Sequence, residues 1–273
     1  MKIGFIGTGS MARAIIKGLI STGFARSGDI FCSDVDRDSL ASFAGQTGIL
    51  QSPSNQNVAL DSDVLVLAVK PQHIHEVLSE IRTQLGQSKP LLVSIVAGVS
   101  LENLETLSGK DNALSVVRVL PNVNAMIGAG VAAVCGNGAA TREQIATVLG
   151  MFNAVGLAVE IQEHDFAAYA AIAGCSPAFS FLFIDALSRG GVKNGLSKEL
   201  ATRIAAQAVL GSARMVLESG QHPWELIDSV CSPGGTTVAG VVAMEERAFL
   251  ATVVEGVDAT IRRDKELAAA MNK

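Results

Sequence analysis

Two glycine-rich turns, far apart in the chain, carry the residue types that hold anions. The first, Gly7-Thr8-Gly9-Ser10-Met11-Ala12, follows the apolar run 2–6 and opens a helical pattern. Its spacing is G-x-G-x-x-[GA]. The first glycine permits a tight turn, the second lets the backbone approach a pyrophosphate, and Ala12 lets the helix sit close on a sheet. The helix start offers unpaired N–H groups and a positive dipole end to phosphates. Dinucleotide binding is the implied chemistry, with a purely structural strand-to-helix turn as the alternative. Asp34 stands about 20 residues further on, where a carboxylate accepts ribose hydroxyls. It would repel a 2′-phosphate, which favours NADH; neighbouring Arg37 could offset this, and Asp34 could instead cap the next helix.

The second turn, Ser232-Pro233-Gly234-Gly235-Thr236-Thr237, lies between two helical segments. Proline fixes one φ, and the glycines bare the backbone, so that several N–H groups can converge on a small carboxylate. Thr236 and Thr237 add hydroxyls. An ordinary glycine turn before a helix would use the same residues.

Other reactive side chains group poorly. His73 and His75 are two apart, a poor metal pair on a helix, and no metal site is expected. Cys175-Ser176 has no partnered base, and small-residue packing explains it better. His164 and His222 read as helix-end residues, and Glu245, Glu246 and Arg247 as a solvated face. The cysteines Cys32, Cys135, Cys175 and Cys231 form no C-x-x-C pair, which suits buried, reduced thiols in the cytoplasm. With a net charge of −5 and 4% aromatic residues, the chain offers neither a basic patch nor a stacking platform, so nucleic acid is not an expected ligand.

The elements that must position these turns follow from hydropathy. At 273 residues, two domains are expected at about 150 residues each. Strands are expected at 2–6, 30–33, 64–69, 91–96, 115–120 and 131–134, with helices at 10–22, 37–44 and from Pro71 to residue 85. The continuous run Val64-Leu65-Val66-Leu67-Ala68-Val69 suits a parallel strand covered on both faces. Alternating strands and helices predict a Rossmann-type doubly wound parallel sheet. Beyond residue 163 strand signals vanish, and alanine-rich helices are expected at 164–189, 197–219 and 237–270. The division is therefore 1–162, dinucleotide-binding, and 163–273, all-α. Residues 1–25 contain no continuous apolar core for a signal peptide, because Gly7-Thr8-Gly9-Ser10, Arg13 and Lys17 interrupt it. The uncharged run 166–184 nearly matches a bilayer span, but its alanines, Gly174, Pro177 and flanking Asp165 and Asp185 suit burial against helices or a partner subunit.

Taken together, these motifs resemble pyrroline-5-carboxylate reductase. Ile6-Gly7-Thr8-Gly9-Ser10-Met11-Ala12 is similar to that family's opening loop. Ala68-Val69-Lys70-Pro71, Ser94-Ile95-Val96-Ala97-Gly98-Val99 and Arg118-Val119-Leu120-Pro121-Asn122 are similar to its later strand-end turns. Gly174-Cys175-Ser176-Pro177-Ala178-Phe179 and the 232–237 turn resemble its substrate-domain signatures. The resemblance covers essentially the whole chain. It implies reduction of the C=N bond of 1-pyrroline-5-carboxylate to L-proline by NADPH or NADH, the last step of proline biosynthesis. It also implies a cytoplasmic homodimer formed through the helical domain, with the active site at the dimer interface, and leaves open a pentamer of dimers. By resemblance, Ser232, Gly234, Gly235 and Thr236 hold the substrate carboxylate and the catalytic Thr237 hydroxyl bonds the ring nitrogen. Asn55 contacts ribose, Ala68, Val69, Lys70 and Pro71 border the cofactor, and Ala97, Pro121 and Asn122 lie near the nicotinamide. The chain departs from the family at Ser10, often asparagine, at Cys175, usually serine, and at Asp34, unusual where NADPH is taken.

Two other functions use the same residues. A related imine or β-hydroxyacid reductase would share the first turn but has no need of the second. A non-catalytic NAD(P)H-sensing module would bind cofactor and consume none.

Overall fold

A strand with neighbours on both sides and helices on both faces must be apolar throughout. Four segments follow that rule, two of them ending on a buried serine: β1 (Ile3–Ile6), β2 (Ile30–Ser33), β4 (Val64–Leu67) and β5 (Leu91–Ser94) are buried at every residue. In the computed structural model, which describes residues 1–271, they form the middle of an eight-stranded sheet of order β3-β2-β1-β4-β5-β6-β7-β8. The other strands are β3 (Leu50–Gln51), β6 (Val116–Pro121), β7 (Gly130–Gly136) and β8 (Gly156–Glu160). Intervening helices are α1 (Ser10–Ser21), α2 (Arg37–Thr47), α3 (Asn55–Asp61), α4 (Ile74–Ser88), α5 (Leu101–Ser108) and α6 (Arg142–Asn153).

Side chains alternate across the sheet into two cores. Val64 and Val66 join Ile15, Ile16 and Leu19 of α1 and Phe152 of α6 on one face. Leu65 and Leu67 join Val58 of α3, Leu78 and Ile81 of α4, and Leu104 of α5 on the other. Each such fully buried Leu or Ile is worth about 1.5–3 kcal/mol.

The expected parallel sheet is present, with one antiparallel pair in it. β7 runs antiparallel to β6, with Val119 opposite Val134. Only residues 122–129 connect them, too few for a parallel crossover, which takes about a dozen residues or more. β8 returns parallel to β7 through α6.

By internal packing the chain forms two compact units, Met1–Gly174 and Cys175–Ala269. The expected boundary at 162/163 falls before this break because Glu163 is tied to the sheet unit. Its carboxylate pairs with Arg118 at 2.9 Å and accepts the Leu101 N–H at 2.7 Å. Arg118 also stacks 4.3 Å over Phe166, which opens the short helix α7 (Phe166–Tyr169). A π-helical turn, Ala170–Cys175, follows.

The second unit is α8 (Ser176–Lys193), α9 (Lys198–Ser219), α10 (Pro223–Val230), α11 (Thr236–Glu246) and α12 (Phe249–Met271). The continuous helix expected over 237–270 is broken: Ala248 takes the left-handed φ of 57° between α11 and α12. Phe183 of α8 meets Phe249 of α12, ring centres 5.9 Å apart. This unit leaves Phe181, Leu182, Leu217 and Val254 more than half exposed. The run Glu163–Lys193 is, by length and composition, long and apolar enough to cross a membrane.

Candidate active site

β1 and β4 are adjacent, yet the chain leaves β1 toward β2 on the opposite side. This is the switch point at which open α/β sheets bind ligands, outside the carboxyl ends of the strands. A cleft of about 530 Å³ lies there, within the range of small-molecule sites. Gly7, Thr8, Gly9, Asp34, Asn55, Ala68, Val69 and Lys70 all line it. Ser10, Met11, Ala12, Pro71, Ala97, Pro121 and Asn122 do not. Ala12 is buried against the sheet, the packing role its size implies.

The loop is shaped by contacts at both ends. Gly7 has φ +95°, and a Cβ placed there would sit 2.6 Å from the Ala68 carbonyl oxygen. Gly9 is the N-cap of α1 with extended backbone and no side-chain cap, and a Cβ there would meet no atom within 4 Å. The backbone is thus bare toward the cleft and the first-turn amides of α1 are unclaimed by side chains. These features fit a dinucleotide pyrophosphate.

Asp34 does not cap the next helix. Asp36 does, accepting the Ser39 N–H at 3.0 Å. Asp34 instead binds the glycine loop: its Oδ2 accepts the Thr8 N–H at 2.6 Å and the Thr8 hydroxyl at 2.7 Å. Its Oδ1 accepts the Asp36 N–H at 3.0 Å. Partial burial works to raise its pKa, but the Asp36 N–H, the two Thr8 donors and the Arg13 charge outweigh it and hold the carboxyl below its ordinary value. A depressed folded-state pKa stabilises above the unfolded value of about 3.9 and is lost as pH falls through the lower folded value. We therefore expect the Asp34 contribution to be constant above about pH 5 and to fall away in stronger acid. Urea unfolding against pH, compared with Asp34→Asn, checks this: wild type should be the more stable by a constant margin above about pH 5, and the two profiles should converge in acid.

Asn55 sits beside Asp34's strand. Its Oδ1 accepts the Ser33 hydroxyl at 2.6 Å and its Nδ2 donates to Glu80 at 2.7 Å. Glu80 was not legible as a site residue, because 25 residues separate it from Asn55.

Asn122 faces inward and is 5% exposed. Its Nδ2 donates to the Ala173 carbonyl at 2.9 Å and its Oδ1 accepts the Val131 N–H at 3.1 Å. A π-helical turn disrupts the regular i→i+4 ladder, and Asn122 supplies a partner within it. Any contact of Asn122 with a cofactor would come from its backbone. Asn122→Ala leaves two buried backbone groups unpaired and should cost about 2–4 kcal/mol in urea unfolding.

The 232–237 turn belongs to the second unit. Gly234 has φ +68°, a left-handed conformation that L side chains rarely adopt. The Gly235 N–H donates to the Ser232 carbonyl at 2.9 Å, closing the turn, and Gly235 becomes the N-cap of α11 without a side-chain cap. Where α2, α3, α5, α6, α9 and α10 begin, Asp36, Ser54, Ser100, Thr141, Ser197 and His222 cap with their side chains. Glycine takes that place at α1 and α11, the two helix starts marked by the motifs. Thr236 and Thr237 occupy the first turn of α11, both exposed, without hydrogen bonds from their hydroxyls among the described residues. Also among the described residues, no cluster of three or more His, Cys, Asp or Glu side chains could hold a metal ion.

Comparison with known proteins places this geometry among relatives. Residues 163–267 match the family model described as pyrroline-5-carboxylate reductase dimerisation, and residues 2–98 match one described as NADP oxidoreductase, coenzyme F420-dependent. A pyrroline-5-carboxylate reductase of Escherichia coli (strain K12) is 41% identical over 266 residues, covering 97% of this chain and 98% of the relative. One from Arabidopsis thaliana is 39% identical, covering 97% and 95%. Among solved structures, a pyrroline-5-carboxylate reductase from Coxiella burnetii superposes with a TM-score of 0.93 at 35% identity, covering 97% of this chain and 98% of its own. The Plasmodium falciparum pyrroline carboxylate reductase, solved with NADP bound, gives 0.85 at 33%, covering 98% of each.

Proposed function

The chain belongs to the pyrroline-5-carboxylate reductase family, and from that premise we infer how its own residues divide the work. It is an oxidoreductase that reduces 1-pyrroline-5-carboxylate to L-proline with NAD(P)H. When bound, the cofactor supplies a hydride. Residues 7–12, with Asp34, Asn55 and residues 68–71, hold and orient it, and Ala97, Pro121 and Asn122 shape the nicotinamide side. The bare backbone at Gly9 and the uncapped start of α1 support the phosphate assignment.

The uncapped start of α11 is the observation that carries the placement of substrate. A carboxylate there meets first-turn amides and the positive dipole end, with Gly234, Gly235 and Thr236 around it and Ser232 shaping the turn. The Thr237 hydroxyl, free of partners among the described residues, donates to the ring nitrogen. A threonine hydroxyl is too weak an acid to protonate that nitrogen by itself, so Thr237 orients the ring and passes on a proton from solvent. Fixing two reactants in one geometry is worth about 7–11 kcal/mol, which makes positioning the main task of both turns.

The family's dimerisation region spans 163–267, which supports an oligomer. We read it as a homodimer through the helical domain, residues 163–273, with the sheet domain, residues 1–162, binding the nucleotide. The exposed apolar side chains of α8, α9 and α12 support that interface. The same partner contact would cover the apolar run Glu163–Lys193, and assembly of dimers into a pentamer of dimers is compatible with it. The four cysteines are free, but only Cys32 and Cys135 are buried as expected, Cys175 being exposed and Cys231 half-buried; free thiols suit the reducing cytoplasm as the place of work.

Purified protein given 1-pyrroline-5-carboxylate with NADH or NADPH should oxidise the nicotinamide and release proline. No oxidation with either cofactor would sink the assignment.

A further inference from the structure

Sequence alone leaves the choice of cofactor open in two ways: Asp34 could be a helix cap, and Arg37 could bind a 2′-phosphate. The structure closes both. Asp34 lines the cleft with its carboxylate facing the glycine loop, and the capping is done by Asp36. Arg37 is turned away to the next loop, where it donates to the Ser52 carbonyl at 2.9 Å and the Pro53 carbonyl at 2.5 Å.

Arg13, the other guanidinium at this end, is equally engaged. Its Nε donates to the Thr8 carbonyl at 2.7 Å, and its terminal nitrogen reaches the Ser39 hydroxyl at 2.6 Å and carbonyl at 3.1 Å. It also lies 4.9 Å over the Phe43 ring. Freeing either arginine would strand carbonyls that it now satisfies. Lys70 and His73 also line the cleft. They follow β4, and β1 stands between β4 and β2, so Lys70 lies about 10 Å along the sheet from Asp34.

Carboxylates line the cleft from both sides, Asp34 and Asp36 after β2, and Glu76 and Glu80 on α4. Glu80 is bound to Asn55, which is bound to Ser33 at the end of β2. A 2′-phosphate would enter this wall with no guanidinium free to meet it among the described residues of the cleft, whereas a ribose diol donates hydrogen bonds that carboxylates accept. The Asp36 N–H, the Thr8 donors and the Arg13 charge hold the Asp34 carboxyl below its ordinary value against the effect of burial, so it meets the cofactor as a carboxylate.

We propose that this chain selects NADH over NADPH, with Asp34 as the specificity-determining residue and Glu80, through Asn55, extending the same acidic wall. The proposal rests on the reading of residues 7–12 as the dinucleotide site.

Isothermal titration of the full-length protein with NADH, NADPH, 5′-AMP and 2′,5′-ADP tests it, since each pair differs by the 2′-phosphate. Wild type should bind the unphosphorylated member at least about tenfold more tightly in both pairs. Asp34→Asn removes the charge and keeps an acceptor for Thr8, so it should narrow that ratio about tenfold with a small loss of Tm at neutral pH. Asp34→Ser should narrow it as far, and Glu80→Gln less. Equal or tighter binding of NADPH by wild type overturns the proposal, as does a ratio unmoved in both Asp34 variants. Should wild type bind neither dinucleotide, the site reading itself falls and the proposal falls with it. Equal binding of both sinks the preference alone.

Discussion

Gly7→Ala should abolish dinucleotide binding and cost about 3 kcal/mol or more of stability. Two independent strains meet at this residue. Its φ of +95° is one that side chains rarely adopt, and the new methyl would stand 2.6 Å from the Ala68 carbonyl oxygen, a backbone atom at the end of β4 that cannot swing aside. β1 and β4 are registered residue for residue, Ile6 against Leu67, so relieving the clash means shearing the centre of the sheet. Gly9→Ala is the control. Its φ of −65° suits alanine and its Cβ would meet nothing, so stability should stay within about 0.5 kcal/mol of wild type. The methyl would nevertheless occupy the bare approach to the α1 amides and weaken dinucleotide binding about tenfold or more. Urea unfolding and calorimetric titration of both variants separate the two effects. Normal binding by Gly7→Ala, or equal destabilisation by both variants, would contradict this account of the loop.

Thr237→Ala should lower kcat by about 10²-fold while dinucleotide affinity stays within about twofold of wild type. The hydroxyl is exposed in the first turn of α11 with no partner among the described residues, so its loss opens no cavity and unpairs no buried group. Alanine is also the better helix former, and Tm should hold. Thr237→Ser keeps the donor and should recover most of the rate. Steady-state kinetics beside calorimetric titration decide it. An equal loss of turnover and cofactor affinity would contradict the assigned role.

Most of the sheet could be read from the chain because buried parallel strands are continuous apolar runs. β1, β2, β4 and β5 lie within two residues of their expected ends. β8 and β3 escaped for the opposite reason: Gly156–Glu160 is half-exposed at the sheet edge, and Leu50–Gln51 is two exposed residues held by backbone pairing alone. Three of the missed helices did carry signals in their caps. Thr141 and Gln144 form a reciprocal capping box at α6, His222 and Glu225 another at α10 behind Pro223, and Ser100 caps α5. The antiparallel turn of β7 was legible in the short 122–129 connection rather than in any strand pattern.

The site divides in the same way. The two glycine turns announce themselves by spacing, because bare backbone needs glycine wherever it occurs. The bonds from Thr8 to Asp34 and from Asn55 to Glu80 span 26 and 25 residues. They exist only because parallel register brings Ile6 beside Ser33 and α4 beside α3. The role of Arg37 depends on which carbonyls come within its reach, and no spacing rule foretells that.

The uncovered leucines, valines and phenylalanines of the helical unit bear on how this enzyme is handled as well as how it is built. Some of the free energy that holds those helices must come from mass action, so dilution works on them as a mild denaturant would. A preparation kept concentrated and one assayed at trace levels would therefore differ in heat tolerance with no change of sequence or solvent.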